Sequence, residues 1–474
     1  MRERLRIQAC KCVAAAAWAL LAGGAAAQGL KPPTELERAA VVATDPVREK
    51  DYLLPAQEII GFDFLLNRFN HATSSSHDYD VTFASIRRNL RSTWAVDDDP
   101  FHINQLGHPY QGSMYYGFAR SAGLSFWESM GYTFAGSIGW ELFGENTRPS
   151  INDQIASGVG GGFLGESLFR MASLVLEHGH GGPWREAVAA AISPSTGYNR
   201  LVYGKRFDAI FASRNPDYYS RLQLGLMGTA QHEQGLSTLT KRNEAQVNFS
   251  MEYGLPGKDG YRYLRPFDYF AFEATGSSAN VFETVMTRGL LYGTDYSAGK
   301  RYRGVWGLYG SYDYISPQTF RISSTALSLG TTGQWRANDR YVVQGSAMAG
   351  VGYAAVGSVH ASNDQDYHYG TTPQALLALR VINSDRASLD LTAREYFVTR
   401  ASASTGPGGH DNILRAEIGL TTRVHNLHAF TVKYLWNRRN ASFPGLDGQR
   451  QTRGTVGIFY TLLGQDRFGT VDWR

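Results

Sequence analysis

The chain has 474 residues, of which 43% are hydrophobic, 13% aromatic and 19% charged, with a formal net charge of +4. With 52 glycines and only two cysteines, this composition excludes an intrinsically disordered chain, a collagen-like fibre and a disulfide-stapled secreted scaffold. There is enough apolar surface for a core, and the length suits about two or three domains.

Residues 1–27 have the pattern of an export signal. Four basic residues lie within the first 11, an apolar run extends from Val13 to Ala22, and three alanines end at Ala27. A signal peptidase recognises this order, so we expect cleavage after Ala27. An uncleaved N-terminal membrane helix is the alternative. Because Cys10 and Cys12 both lie in this segment, the mature chain would contain no thiol.

Removal of the signal peptide changes the charge balance of the chain. The segment holds four basic residues and one acidic residue, so the net charge falls from +4 to +1. Residues 28–200 then carry 13 basic and 19 acidic side chains. Residues 201–474 carry 29 basic and 22 acidic side chains. The mature chain is therefore an acidic half followed by a basic half. Its lysines and arginines form no stripe, so we expect no nucleic-acid partner.

The acidic half predicts a tether followed by helices. Residues 28–56 contain four prolines and indicate an extended tether, and residues 57–200 indicate a helical domain. Residues 113–177 predict a helical hairpin that is interrupted near residues 143–149. Small residues repeat at a spacing of four on each helix of this hairpin: Gly131, Ala135 and Gly139 on the first, and Gly158, Gly161, Gly162 and Gly165 on the second. Because such faces allow two backbones to approach closely, we expect these helices to pack on each other.

The basic half alternates apolar and polar residues, which is the signal of β-strands. Phe430, Val432, Tyr434 and Trp436, for example, alternate with polar residues. The segments run roughly 10 to 14 residues, longer than the 5 or 6 typical of soluble strands and long enough to cross a bilayer. The mature chain has no run of about 18 uncharged apolar residues for a membrane helix, so a closed barrel is the expected spanning structure. A large soluble all-β domain is the alternative.

The connections between these segments indicate an outer-membrane barrel of about twelve strands, with ten or fourteen as alternatives. Tight turns at residues 337–339, 383–385 and 425–426 alternate with long polar stretches at residues 357–369, 401–411 and 439–449. The predicted strand starts lie near residues 218, 243, 267, 281, 301, 321, 340, 372, 387, 413, 427 and 451. An even number of strands puts both barrel ends on the periplasmic side. All seven prolines of residues 201–474 are expected in loops or at strand starts.

The side chains of the basic half predict two further features of the barrel. Aromatic residues near segment ends are expected to form girdles at the lipid–water boundaries: Tyr261, Tyr263, Phe267, Tyr312, Tyr314, Tyr434 and Trp436. The polar faces of the later strands are expected to place seven charged residues toward the lumen: Asp390, Arg394, Arg415, Glu417, Arg423, Lys433 and Arg453. These charges are interpreted as an ion-pair ladder that fills a narrow lumen, an anion-preferring lining, or a socket for the acidic half.

The candidate catalytic residues lie in the acidic half. His108 is the best single candidate for a general base, because histidine titrates near neutral pH. Ser113 or Ser125 could then serve as the nucleophile, with Glu128 or Asp153 as the third group of a hydrolase.

Structural roles are the simpler interpretation of the same region. Ser150 and Asp153 have the spacing of a capping box at a helix start, and Glu166 and Arg170 that of an ion pair on one helix face. Glu128 and Glu141 lie in apolar surroundings and would each need a partner or a function.

The remaining motifs give no cofactor. Residues 160–165 match a GxGxxG spacing, but no strand precedes them, so close helix packing explains these glycines better than nucleotide binding. His178 and His180 lack a third spaced ligand, and the three aspartates at residues 97–99 lack the other ligands of a calcium loop. We therefore expect no metal, no nucleotide and no other cofactor.

Five short motifs between residues 100 and 170 resemble the bacterial domain-of-unknown-function 3943 family in order and spacing. The matching positions are Asn104, His108, Pro109, Tyr110, Gly112, Trp127, Glu128, Trp140, Glu141, Pro149, Ser150, Asp153, Gly165 and Glu166. The resemblance implies an envelope protein of Gram-negative type whose motif region precedes a barrel. It carries over no activity and no catalytic residue.

Together these features predict a mainly β protein: a transmembrane antiparallel β-barrel of about 12 strands (residues 201–474) preceded by a small-residue-rich α-helical domain that caps or plugs it. The expected location is the outer membrane, with the helical region periplasmic or in the lumen. Outer-membrane lipid and the barrel-assembly machinery are the expected partners, while the oligomeric state stays open. A structural, transport or envelope-interaction role is the leading functional hypothesis. A barrel-embedded hydrolase acting on lipid or lipopolysaccharide is the alternative.

Overall fold

The computed structural model describes residues 50–97, 99–177, 182–204, 215–233, 240–317, 320–358, 367–400, 409–442 and 448–473. These residues form two compact units, one ending at Arg214 and the other beginning at Asn215. The predicted signal peptide, most of the predicted tether, and the His178 and His180 pair lie outside the described residues.

The first unit is helical. Its helices are α1 (Leu53–Thr73), α2 (Phe83–Asn89), α3 (His108–Ser121), α4 (Phe126–Gly139), α5 (Ile151–Asp153), α6 (Gly161–Glu177), α7 (Pro183–Ile192) and α8 (Pro194–Tyr203). Three π-helical segments adjoin them: π1 (Ile103–Gly107), π2 (Trp140–Gly144) and π3 (Gln154–Gly160). Local chemistry sets several helix starts, since α4 begins with a capping box and α7 and α8 begin with proline.

The second unit is a closed antiparallel barrel of twelve strands, so the predicted fold class is confirmed. The strands are β1 (Tyr218–Glu233), β2 (Thr240–Tyr253), β3 (Phe270–Ser277), β4 (Thr284–Ala298), β5 (Tyr302–Ile315), β6 (Phe320–Arg336), β7 (Tyr341–Ser358), β8 (Tyr367–Asn383), β9 (Ala387–Arg400), β10 (His410–His425), β11 (His428–Ser442) and β12 (Gln449–Leu463). Each strand pairs with its sequence neighbours, and β1 pairs with β12 to close the ring.

Tight turns gather at one end of the barrel, which we call the turn end. The chain enters β1 and leaves β12 at this end, as the even strand number requires. Residues 384–386 and 426–427 are two of these turns, and Ser384 and Asn426 have the positive φ angles, 50° and 47°, that such turns need. The exception is the long connection between β2 and β3, residues 254–269. We call the opposite end the loop end.

One expectation about proline was wrong. Pro373 lies inside β8 instead of in a loop. The β8–β9 ladder pairs Thr371 with Thr399 and Gln374 with Tyr396 but has no pairs between these positions. Proline has no N–H to donate, so the ladder is interrupted at this point without a change of register.

The barrel exterior is apolar over most of its circumference. The exposed outward-facing side chains include Leu226, Leu329, Val351, Leu377, Ile418, Leu420, Val432, Val456 and Ile458. Near the turn end they are joined by a ring of exposed aromatic residues: Trp306, Trp335, Tyr341, Phe430 and Tyr460. An apolar band bordered by an aromatic girdle is the surface of a membrane-spanning barrel.

The predicted girdle was only partly correct. Tyr261 and Phe267 belong to the 254–269 connection, and both are buried. Tyr261 donates a hydrogen bond to the Asp268 carbonyl at 2.6 Å, and the Phe267 ring lies against Gly289. Tyr434 is outward and exposed, yet it lies in the middle of β11. The alternation identified outward positions but could not give their depth along the strands.

The barrel interior is occupied in layers. Toward the loop end, inward-facing Ile315, Phe320, Val356, Val398 and Ile413 belong to one buried apolar cluster. Ion pairs follow in the middle of the barrel. The turn end holds a second apolar cluster, described next.

The C-terminal segment fills the turn end of the barrel. After β12 it places Phe468 and Val471 in an apolar cluster with Tyr219 and Val342. The amide group of inward-facing Gln334 exchanges two hydrogen bonds with the Val471 backbone, at 2.6 and 3.0 Å. The last strand ends at Leu463, and the penultimate residue, Trp473, lies ten positions beyond it.

Helix packing in the first unit differs from the predicted hairpin. A Cβ atom on Gly112 of α3 would lie 2.0 Å from the Ser157 carbonyl oxygen, and one on Gly161 would lie 2.7 Å from the Gly112 Cα. Gly131 of α4, by contrast, faces open space. Gly161 and Gly165 of the second helix therefore allow close approach of α3. Gly158 and Gly162 lie against Phe134 and Met130 of α4, so the two helices of the predicted hairpin do pack on each other. The expectation that Gly131, Ala135 and Gly139 form the partner face was wrong.

The continuous helical run Ile151–Glu177 spans 27 residues and is apolar and long enough to cross a membrane by length and composition. The sequence-based search missed it because that search required an uncharged run, and Glu166 and Arg170 interrupt this one. Since 94% of its most apolar window is buried in the structure, it has the character of a core helix.

Candidate functional site: a buried carboxyl cluster

The strongest concentration of titratable groups in the helical unit surrounds His108 and Asp153. His108 Nε2 lies 3.9 Å from Asp153 Oδ2, and both side chains are almost fully buried. The three π-helical segments adjoin this pair, because π1 ends just before His108, π3 begins just after Asp153, and π2 contains Glu141. π-helical turns shift side chains relative to a regular helix and are frequent at functional sites.

Five carboxyl groups belong to this cluster: Asp97, Asp99, Glu141, Glu145 and Asp153. Burial raises the pKa of Asp99 and of Glu145 to about 7 in each case. Burial and the neighbouring carboxylates raise the pKa of Glu141 to about 10. The pKa of Asp153 is also raised well above its usual value, by burial first, then by the charge of Asp97 and a hydrogen bond with that carboxyl. The cluster therefore holds protons at neutral pH.

Backbone contacts fix the two segments that carry these acids. Residues Ala95 and Ser150 form a parallel β-bridge, and the Ile151 amide donates to the Ala95 carbonyl at 2.9 Å. Asn152 links the segments further, since its Oδ1 accepts from the Asp97 amide at 2.8 Å while its Nδ2 donates to Asp153 Oδ1 at 3.0 Å.

The predicted capping box at Ser150 has only one of its two expected bonds. Ser150 Oγ accepts a 3.3 Å hydrogen bond from the Asp153 amide, as a cap should. The Ser150 amide donates instead to Glu141 Oε2 at 2.7 Å. The Asp153 carboxyl is thereby left to face His108 and Asp97.

Glu141 has one carboxyl oxygen without a hydrogen bond. Its Oε1 atom is buried and has no hydrogen-bond partner among the described residues. Chemically, a histidine beside two carboxyls that share a proton can accept and return protons, as a general acid–base pair does. The half-buried Asp97 and Asp99 form the most exposed part of the cluster.

The predicted nucleophiles do not join this cluster. Ser113 Oγ donates to the Tyr110 carbonyl at 2.6 Å within α3. Ser125 Oγ accepts from the Glu128 amide at 3.4 Å, and Glu128 Oε2 accepts from the Ser125 amide at 2.7 Å, which is a capping box. Glu128 also accepts from Lys50 at 2.8 Å, and this bond is the main reason that the pKa of Glu128 falls to about 2.

Glu166 is the centre of a separate buried ion network. It accepts hydrogen bonds from Arg120 at 2.9 Å, from Arg170 at 2.7 Å and from Tyr116 at 2.8 Å. Burial alone would raise the pKa of Glu166, but the two guanidinium groups outweigh it and lower the pKa. The four-residue spacing predicted the Arg170 pair, whereas Arg120 and Tyr116 come from α3.

The other motif residues have packing and polar contacts. Gly165 lies against the Tyr116 ring, and Pro149 accepts from the Ala95 amide at 2.9 Å. Trp140 donates through Nε1 to Glu145 Oε1 at 2.7 Å. Asn104 is fully buried in π1, Pro109 and Tyr110 lie in the first turn of α3, and Trp127 is half-exposed at the start of α4.

The charged residues that were predicted to face the lumen occupy inward positions with partners of opposite charge or polar groups. Asp390 contacts Arg221 and Arg380, each at 2.8 Å. The other pairs are Arg394 with Asp313 at 3.2 Å, Lys433 with Glu417 at 3.1 Å, Arg453 with Glu244 at 3.8 Å, Arg415 with Asn437 at 3.3 Å, and Arg423 with Asp385. These pairs are of the kind that an ion-pair ladder contains, and the three interpretations of the lumen charges stay predictions.

Sequence reasoning missed part of the carboxyl cluster. Asp97 and Asp99 were considered only as calcium ligands, and Glu145 was not singled out. The signal was present in the spacing of Glu141 and Glu145, four residues apart in an apolar stretch. Among the described residues, which omit Asp98, no group of three or more His, Cys, Asp or Glu side chains has the geometry to hold a metal ion.

A protein-family model matches the region that contains the carboxyl cluster. Residues 93–195 match the model of the domain of unknown function DUF3943, so the resemblance of the motifs is confirmed. This span contains every residue of the carboxyl cluster and of the Glu166 network. No curated protein matches the chain.

Among solved structures, the barrel is similar to several membrane proteins. The NanC porin matches with a TM-score of 0.26 and 9% identity, covering 50% of this chain and 98% of its own. The KdgM porin matches with a TM-score of 0.22 and 11% identity, and the match covers 50% of this chain and 98% of the porin. The Pseudomonas putida toluene transporter TodX matches with a TM-score of 0.21 and 10% identity, and the match covers 53% of this chain and 90% of the transporter. At these TM-scores the likeness supports no functional argument. Closed antiparallel barrels with an apolar exterior are characteristic of bacterial outer membranes.

Proposed function

We propose that this outer-membrane barrel is a closed anchor with a structural or envelope-interaction role, and that it does not conduct solutes in this conformation. The observation that carries the proposal is the filled lumen. One apolar cluster occupies the loop end and another, completed by Phe468 and Val471, occupies the turn end.

The layer between the two clusters leaves little space for a solute. Three cavities along the strands have volumes of about 70, 20 and 10 Å³. The largest has room for about five water molecules and is lined by the paired Arg221, Arg380 and Asp390. Charges that neutralise one another across a lumen stabilise the barrel, whereas an anion-selective lining needs cations that face free water.

The test is conductance of the purified full-length protein in planar bilayers. We expect no steady current above the bilayer leak, with heat-modifiable migration on gels showing that the barrel is folded. A matched variant that lacks residues 464–474 and carries Phe320→Ser, Ile322→Ser, Val398→Ser, Arg380→Ser and Asp390→Ser removes filling from both ends and from the layer between them, and it should conduct. Steady openings of the unmodified protein would contradict the proposal.

A second candidate function is hydrolysis of a lipid or lipopolysaccharide bond at the carboxyl cluster. The 3.9 Å approach of His108 to Asp153, beside the Asp97 carboxyl, favours it. Because Ser113 and Ser125 have structural contacts elsewhere, the supported version uses water as the nucleophile. Of the two carboxyls that share a proton, Asp97 and Asp153, one would activate the water and the other would protonate the leaving group.

This candidate is tested by mass spectrometry of lipids incubated with the reconstituted protein. Product release should disappear in His108→Gln and Asp153→Asn and persist in Ser113→Ala. Identical lipid profiles with the unmodified protein and with Asp153→Asn would remove the hydrolase hypothesis.

A further inference from the structure

Helix α1 exposes large apolar side chains in addition to Leu54 and Ile59, which it buries in the apolar clusters of the helical unit. Eleven of its residues between Leu53 and Thr73 are exposed, and none of them is acidic. Five are large and apolar, with exposed fractions between 55% and 71%: Leu53, Ile60, Phe64, Leu65 and Phe69. We call these five residues the outer stripe. A surface helix normally turns its apolar stripe toward the core.

The inward face of α1 carries polar groups that are already satisfied by the rest of the helical unit. Asp63 accepts a hydrogen bond from Tyr115, and Asn67 donates to the Gly144 carbonyl at 2.8 Å. Glu58 accepts from Asn199 at 3.4 Å. These contacts fix the rotation of α1, so the outer stripe cannot turn inward without breaking them.

Helix α2 repeats the pattern on a smaller scale. Phe83 is 93% exposed and Leu90 is 59% exposed. Arg87, also exposed, follows Phe83 by four residues and so lies on the same side of the helix. Arg91, in the turn after α2, is exposed as well. Asn89, on the buried side, donates to the Glu141 and Glu145 carbonyls at 3.3 and 3.1 Å.

Two properties of these faces select a lipid surface over a protein partner. Exposed apolar side chains accompanied by arginines, with no acidic residue on the α1 face, match the composition of helices that lie in the headgroup region of anionic bilayers. The same polypeptide also contains a membrane-spanning barrel, which keeps a bilayer at high effective concentration near the helical unit.

We propose that the outer stripe of α1, assisted by Phe83 and Leu90, is a membrane-docking surface that inserts into an anionic phospholipid leaflet. The apolar side chains enter the boundary between headgroups and acyl chains, and Arg87 and Arg91 contact phosphate groups. The proposal requires the barrel to be in a bilayer. It is independent of whether the barrel conducts, so the conductance test and the test below can fail separately.

The test places a bimane fluorophore at single cysteines in the full-length chain, with Cys10 and Cys12 replaced by alanine. Phe64→Cys reports on the outer stripe, and Ser75→Cys, in the exposed segment after α1, is the matched control. The protein is reconstituted in phosphatidylglycerol-containing vesicles with lipids that carry a doxyl quencher near the headgroup end of the acyl chain. We expect position 64 to lose about half of its emission, because inserted side chains reach about 5–10 Å into this boundary. Position 75 should keep its emission.

A second variant separates docking from folding. Phe64→Ser with Leu65→Ser, read out at Ile60→Cys, should keep the helical circular dichroism while quenching falls toward the control value. Equal emission at positions 64 and 75 in the quencher vesicles would overturn the proposal. Crosslinking of two copies through position 64 without quenching would also overturn it, since the occupant would then be a second copy of the chain.

Discussion

The two units of this protein bury charge in opposite ways. In the barrel lumen, Asp390 lies 2.8 Å from two arginines, and Asp313 and Glu417 each have a cation within 3.2 Å. In the helical unit, five carboxyls share one site in which the only cation-forming group among the described members is His108.

This difference indicates different purposes. Ion pairs in a lumen satisfy inward positions that cannot be apolar throughout, and they hold strands together across the barrel. A group of like charges costs folding free energy, because its members must remain protonated when buried. Such a cost is typical of sites kept for proton transfer or ligand recognition. The Glu166 network shows that the helical unit also contains a balanced buried ion group, so the imbalance is confined to one location.

The largest effect is expected when the balanced network of the helical unit is broken. Glu166→Gln removes the carboxylate that Arg120 and Arg170 both contact in a fully buried position. Loss of one partner from a buried ion group costs about 3–5 kcal/mol. Hydrogen exchange measured by mass spectrometry should show much faster exchange in α3 and α6.

The control for Glu166 is Glu186→Gln. Glu186 pairs with Arg200 at 3.4 Å, but 58% of its side chain is exposed. Exchange in this variant should match the unmodified protein, since exposed pairs contribute little. Equal exchange in the two variants would contradict the importance assigned to Glu166.

The corresponding change in the barrel should have a somewhat smaller effect. Asp390→Asn leaves Arg221 and Arg380 without their shared carboxylate, although Glu252 still contacts Arg380 at 3.1 Å. We expect a loss of about 3 kcal/mol, seen as a lower temperature for heat-induced unfolding on gels. Asp295→Asn, which breaks an exposed pair with Arg262, should leave that temperature unchanged. A similar shift of the unfolding temperature in both variants would show that the lumenal ion pairs contribute no more to stability than the exposed pair.

The carboxyl cluster predicts an unusual pH dependence of the helical unit. Asp99 and Glu145 have a folded-state pKa of about 7, and Glu141 of about 10, all above their values in an unfolded chain. The folded state therefore binds more protons, and its stability is highest below about pH 4 and falls as pH rises through 7 toward 10. Each unit by which a folded-state pKa exceeds the unfolded-state value corresponds to about 1.4 kcal/mol of this loss.

Hydrogen exchange of residues 93–99 and 145–153, corrected for the intrinsic effect of pH, measures this dependence. Glu141→Gln with Asp153→Asn removes two of the acids and should flatten the profile. A stability that rises between pH 5 and 8 would contradict the assignment, because it would mean that the cluster carboxyls are ionised in the folded state.

The smallest expected effect concerns a residue that sequence reasoning offered as a nucleophile. Ser125→Ala removes the cap of α4 and should cost about 1 kcal/mol of local stability, with faster exchange in the first turn of that helix. Ser75→Ala, outside any helix, is the control. Any loss of a lipid-directed activity in Ser125→Ala beyond this stability change would revive the serine hypothesis.

The barrel was predictable because strand alternation is a local property. Eleven of the twelve predicted strand starts lie within three residues of the observed ones, and the other, near 372, is five residues late. The β8 start was missed because Pro373 suggested a boundary, whereas the barrel tolerates a proline where the β8–β9 ladder is interrupted. The division into an acidic and a basic half also agrees with a helical unit followed by the barrel.

The candidate site was less predictable, because π-helical turns change which side chains meet. Regular helical spacing relates Ser150 to Asp153, yet the Ser150 amide bonds to Glu141 across the unit. The arrival of Asp97 at the same site depends on the bridge between Ala95 and Ser150, which joins residues 55 positions apart. No local pattern encodes such a contact.

The sequence by itself determined the barrel, the approximate number of strands and the inward direction of the seven charged residues of the later strands, because a period of two follows from the backbone geometry of a strand. It also identified His108, Asp153 and Glu166 through short motifs. Only the tertiary structure decided that α3 packs on the glycines of α6, that the C-terminal segment fills the turn end, and that five carboxyls meet around His108. These outcomes depend on distances between segments far apart in the chain, which burial and shape set and periodicity does not.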